Sequence, residues 1–136
     1  MKKRMNRSTA RAHAMKLVYE WEMGGEGGEE TRLNLLEVKP DETEYAFMNA
    51  LYEGVVAERE RIDALIAEYA RGWSLDRLSR VDLAILRVGA YELTSGANPP
   101  AIVINEAVEL ANTFSGDKAG PFVNGVLGSI ARSEKI

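Results

Sequence analysis

Apolar residues recur along this chain at helical spacing, and the pattern is strongest over residues 79–93, SRVDLAILRVGAYEL. At about 100° per residue, Val81, Ala84, Ile85 and Val88 cover one side of a helix, and Leu83, Leu86, Ala90 and Leu93 cover the other. A helix apolar on both sides is a buried one. Ser79 with Asp82 three residues on makes an N-terminal capping pair. Arg87 and Glu92 interrupt the pattern. They point about 140° apart around the helix, so they do not pair with each other. A buried charge needs a partner, so each must find one on another segment.

The other stripes are one-sided. Ala14, Leu17, Val18 and Trp21 predict a first helix over 8–23, capped by Ser8 or Thr9. Glycines at 24, 25, 27 and 28 predict a flexible loop rather than a nucleotide-binding one, since a helix and not a strand precedes it. Leu33, Leu35 and Leu36 suggest a short helix over 31–38, stopped by Pro40. Asp41 with Glu44 opens the next helix, whose stripe is Tyr45, Met48, Leu51, Tyr52, Val55 and Val56. A second stripe, Ile62, Leu65, Ile66 and Tyr69, follows the charged run 58–61, giving either two helices with a bend or one long one. Asn98-Pro99-Pro100 predicts an extended turn. Residues 102–114 form an amphipathic helix with Glu106 at its border, placed to meet Arg87 or to cap a neighbouring backbone. After a loop over 115–120, a last helix starts near Pro121, with Phe122, Val123, Val126, Leu127 and Ile130 inward. That stripe runs straight through Asn124-Gly125 and overrules the dipeptide's hairpin signal. No segment sustains an alternation of period two. The fold class is all-α, with six to eight helices.

Composition narrows the function. At 136 residues the chain has the length of one domain, 1–136. It has no cysteine. That excludes disulfides, thiolate metal sites and a cysteine nucleophile, and it favours a cytoplasmic protein. No apolar run approaches the roughly 18 residues of a membrane span, so no membrane role is expected. The basic N-terminus lacks the apolar core of a secretory signal. Charge is unevenly placed. Lys2, Lys3, Arg4, Arg7, Arg11 and Lys16 put +6 on the first sixteen residues, while the remainder carries a net −10. Residues 1–7 therefore read as a flexible basic arm suited to a local contact with phosphates. Basic residues in a first helical turn oppose the helix dipole, so the arm should order only around an anion. No metalloprotease, nucleophile-elbow or phosphate-loop motif occurs. His13 is the only histidine and sits among basic residues. Nothing calls for a metal, a cofactor or a catalytic residue.

Several segments together go further. Residues 14–21 (AMKLVYEW), 86–93 (LRVGAYEL), 104–111 (INEAVELA) and 122–127 (FVNGVL) resemble the NusB family of bacterial transcription antitermination factors, in the family's order and over nearly the whole chain. The resemblance implies a NusB-like fold of two packed helical bundles. It implies binding to the boxA sequence of nascent ribosomal RNA transcripts together with NusE, a small-subunit ribosomal protein. The pair would help load an antitermination complex on RNA polymerase, with no catalysis.

Carried over position by position, the RNA-binding candidates are Arg4, Arg7 and Arg11 for the arm, Tyr19, and Phe114, Asp117, Lys118 and Phe122 around the loop before FVNGVL. Recognition of single-stranded RNA uses aromatic faces and cations in this way. Phe114 and Phe122 also lie on apolar stripes, where an aromatic is more often a core residue. Asp82 matches an acidic partner-binding position of the family, and an acidic body suits a basic ribosomal protein; it also fits as the second half of the Ser79 cap. Arg87, Glu92, Asn105, Glu106 and Asn124 read as structural linkers. Gly120-Pro121 stands where the family often carries polar or basic residues. The competing reading is the detached RNA-binding module of an RNA cytosine methyltransferase, since similar domains are fused to such enzymes. Family members also occur as homodimers, and the sequence leaves monomer and homodimer open.

Overall fold

A computed structural model describes residues 6–24 and 42–135. Among these residues there are six α-helices, one 3-10 turn and no strand. The helices are α1 (Arg7–Glu22), α2 (Glu42–Ala57), α3 (Arg59–Tyr69), α4 (Arg80–Ser95), α5 (Pro100–Phe114) and α6 (Ala119–Ser133), with the 3-10 turn at Leu75–Arg77. Most of the expected arm (1–5, with Arg4), the glycines from 25 on, the helix at 31–38 and the Asp41 cap lie outside the described residues.

The central helix forms where its pattern predicts. Ser79 Oγ accepts the Asp82 N–H at 3.0 Å, and Gly96 closes the other end in the left-handed conformation (φ 74°) that glycine adopts without a Cβ clash. Ten of its residues are buried, including Arg87 and Glu92. α4 touches all five other helices. On one flank α1 and α2 pack against each other and onto it; on the other α5 and α6 do the same, and α3 bridges α4 to α6. This is the two-bundle arrangement, with α4 common to both halves and one continuous apolar cluster running through them. α2 crosses α4 at close range because position 54 is glycine: a Cβ there would run into the Tyr91 ring.

The charged run at 58–61 is a break and not a continuous helix, since Glu58 leaves helical geometry (φ −112°, ψ 24°) and α3 starts behind it. Three boundaries differ from expectation. α1 starts one residue earlier, and its cap is Asn6, whose Oδ1 accepts the Thr9 N–H at 2.8 Å, rather than Ser8 or Thr9. Pro99 is extended as expected, but Pro100 already opens α5; a first helical residue needs no N–H donor, so proline fits there. α6 begins at Ala119, two residues before Pro121, which still lies in the turn whose N–H groups have no helical acceptor.

Candidate nucleic-acid and partner interface

The basic residues of α1 divide into two groups. Arg11 is only 4% exposed. Its Nε and Nη2 donate to the two Glu92 oxygens at 2.9 and 2.6 Å. Asn98 Nδ2 adds a third bond to Glu92 at 2.9 Å, and Glu106 lies 3.8 Å from Arg11. Burial pushes the Arg11 guanidinium down, but the Glu92 hydrogen bonds and the charges of Glu92, Glu106 and Glu44 outweigh it and hold it above its ordinary value. Arg11 is therefore not available as a phosphate contact: Glu92, the charge that α4 had to neutralise, claims it. Arg7 sits half-exposed, with Nε 2.7 Å from Glu44 Oε2 and its guanidinium 4.0 Å from the Phe47 ring centroid. It belongs to α1 and not to the arm, and Glu44 offsets the unfavourable dipole of that turn.

Arg87 is buried in the same manner. Its Nε and Nη2 donate to Asp63 at 2.8 and 3.0 Å, and its Nη1 lies 3.2 Å from Glu22. The guanidinium is 5.8 Å from the Trp21 ring centroid. Burial lowers its proton affinity, and the bonds to Asp63 and Glu22 more than restore it. Glu106, expected to meet Arg87 or to cap a neighbouring backbone, instead accepts Ser8 Oγ–H at 2.8 Å.

The aromatic candidates are accessible to different degrees. Tyr19 is 37% exposed and Phe114 41%, so Phe114 is not a core residue. Lys16 Nζ stands 5.1 Å from the Phe114 ring centroid. Phe122 is half-buried, packed against the core, and its ring meets Trp73 edge-on at 6.3 Å between centroids. Asp117 and Lys118 are exposed in the loop between α5 and α6.

The loop does not stand alone. Asp117, Lys118 and Phe122 line a cleft of about 510 Å³ together with Trp73, Arg77, Ser79 and Asp82. Residues expected to face RNA and the residue expected to face a protein thus share one depression, at the N-terminus of α4. Asp82 Oδ1 is buried there and accepts no hydrogen bond from any described residue. It does not complete the Ser79 cap through that atom. Trp73 and Lys16 were not among the candidates. Trp73 is 51% exposed and lies on no apolar stripe; a large aromatic outside every stripe was the signal for it. Lys16 could be counted as charge from sequence, but not placed on a ring.

A sequence profile of the NusB family matches residues 8–132. The transcription antitermination protein NusB of Acetivibrio thermocellus is 40% identical over 130 residues, spanning 94% of this chain and 90% of that protein. The transcription antitermination protein NusB of Saccharopolyspora erythraea is 46% identical over 133 residues, spanning 92% and 86%. Among solved structures, the crystal structure of antitermination factors NusB and NusE in complex with dsRNA contains a chain similar to this one with a TM-score of 0.83 and 32% identity, covering 93% of this chain and 96% of that one.

Proposed function

This chain belongs to the NusB family, and from that premise we propose that it is an RNA-binding transcription antitermination factor. It acts with the ribosomal protein NusE on boxA of nascent ribosomal RNA transcripts. The pair then joins the RNA polymerase antitermination complex in the cytoplasm. Among the described residues no helix is long and apolar enough to cross a membrane. The reading is of a binding protein with no catalytic step, so a methyl-transfer assay is expected to give no turnover.

One observation carries the two-partner reading: the cleft at the start of α4 presents both kinds of chemistry side by side. Lys118, Arg77 and the rings of Phe122 and Trp73 offer cations and π-faces, the groups that hold single-stranded RNA. Asp82 offers a buried carboxylate oxygen without a donor among the described residues. A buried acceptor left open is costly, and a cationic side chain from a basic protein would satisfy it. The basic N-terminal segment, through Arg4 and the exposed part of Arg7, adds phosphate contacts.

Binding to boxA RNA and to a scrambled RNA, with and without NusE, across a salt series tests this reading. Preference for boxA and a gain in affinity with NusE are expected. Asp82→Asn should remove most of the NusE-dependent gain and leave binding to RNA alone unchanged. Equal affinity for both RNAs under all conditions would overturn the assignment.

A further inference from the structure

The wall of the cleft that carries Trp73 and Arg77 is a short connector with little of its own to hold it. Between α3 and α4 the chain makes a single 3-10 turn at Leu75–Arg77, a structure of poorer hydrogen-bond geometry than an α-helix. The Arg77 and Leu78 N–H groups donate to the Ser74 and Leu75 carbonyls at 3.0 and 3.2 Å. Trp73, Asp76 and Arg77 are exposed, and Leu78 is buried.

Arg80 supplies what the turn lacks. It is the first residue of α4, where a cation opposes the helix dipole, so the needs of the helix do not explain it. Its guanidinium turns back instead. Nη2 donates to the Leu75 and Leu78 carbonyls at 2.6 and 2.8 Å, and Nη1 donates to Glu22 Oε1 at 2.9 Å. Glu22, the last residue of α1, is itself fixed: its other oxygen lies 3.2 Å from the buried Arg87 Nη1. A chain of charge-assisted bonds thus runs from inside α4 through Glu22 and Arg80 to the turn. Neither Arg80 nor Glu22 lines the cleft.

From this chain of contacts we propose that Arg80 is a positioning residue for partner binding: anchored on Glu22, it fixes the 3-10 turn, so that Trp73 and Arg77 stand in place before NusE or RNA arrives. The proposal rests on the reading of the cleft above and deepens it. A wall ordered in advance spares the complex the entropy of ordering it on binding. The sign of the effect separates this role from that of charge. Removing a cation from an acidic body would by itself strengthen attraction to a basic protein such as NusE; losing a fixed wall weakens it.

The test compares full-length wild type with Arg80→Met, Arg80→Lys, Glu22→Gln and the double variant of Glu22→Gln with Arg80→Met. Deuterium exchange is followed in the free proteins, with affinity for NusE and for boxA RNA over a salt series. In Arg80→Met the amides of Arg77 and Leu78 should accelerate beyond those of Leu83 and Ile85 by at least about tenfold, the worth of one charge-assisted hydrogen bond. NusE affinity should fall roughly tenfold. RNA affinity should fall with no change in its salt slope, since no phosphate contact is lost. Arg80→Lys should recover part of both affinities, because an ammonium can still donate to the carbonyls. Glu22→Gln should change NusE affinity much less in the Arg80→Met background than in wild type, since the two residues act in series. Equal acceleration of all four amides, or NusE binding as tight as wild type or tighter, overturns the positioning role. A flattened salt slope overturns it as well, since Arg80 would then be a phosphate contact. A wild-type protein that binds neither NusE nor boxA RNA would instead overturn the assignment of the cleft, on which the proposal stands.

Discussion

Arg11 and Arg7 are four residues apart on one helix, yet burial gives them different roles. Arg11 has both carboxylate oxygens of Glu92 at hydrogen-bond distance inside the protein; Arg7 shares Glu44 near the surface. Removing one member of a buried pair strands the other, which typically costs about 3–5 kcal/mol, whereas an exposed pair is worth about 1 kcal/mol or less. Arg11→Ala should therefore lower stability by several times more than Arg7→Ala, as read by denaturant unfolding. Its RNA affinity, corrected for the folded fraction, should stay near wild type, while that of Arg7→Ala should fall. The need for a partner at Glu92 and Arg87 was legible in the sequence, because charges stood where a helix had no polar face. Which residues answered was not, because Arg11, Asp63 and Glu22 reach those positions only through tertiary packing. For the same reason Arg11 looked like part of a basic arm: adjacency in sequence says nothing of which side of α1 faces α4.

Helices were legible wherever an apolar stripe and a capping residue coincided. α4 is the clearest, with Ser79 at its start and glycine at its end. Boundaries drifted where two polar residues competed for the same task. Asn6, Ser8 and Thr9 can all cap a helix, and the geometry chose Asn6. Asn6→Ala is accordingly expected to destabilise by about 0.5–2 kcal/mol in thermal or denaturant unfolding. Ser8→Ala should cost less, since it loses only the exposed bond to Glu106. The prolines at 99 and 100 read as an extended turn, yet Pro100 starts the helix, because a turn and a first helical residue ask the same φ of proline.

On the scale of the molecule, the acidic balance of the sequence and its basic beginning were visible at once, but not the cleft where cationic, aromatic and acidic side chains come together. The cleft draws on the segment after α3, the first turn of α4 and the loop before α6. No single stretch contains it. Asp82 and Phe122 entered as candidates through resemblance alone, and Trp73 not at all, because its surroundings are built by distant parts of the chain.

The shared position of α4 has a consequence for how the protein opens. Every other described helix rests on it, so neither half can detach without exposing its apolar surface. The backbone amides of Leu83, Ile85 and Val88 should then exchange with deuterium only through global unfolding, more slowly than those of α1 or α3. Those residues should report a single free energy that equals the one measured by denaturant. A chain of two bundles would in this way melt as one cooperative unit, its two halves bound to a common fate by the helix they share.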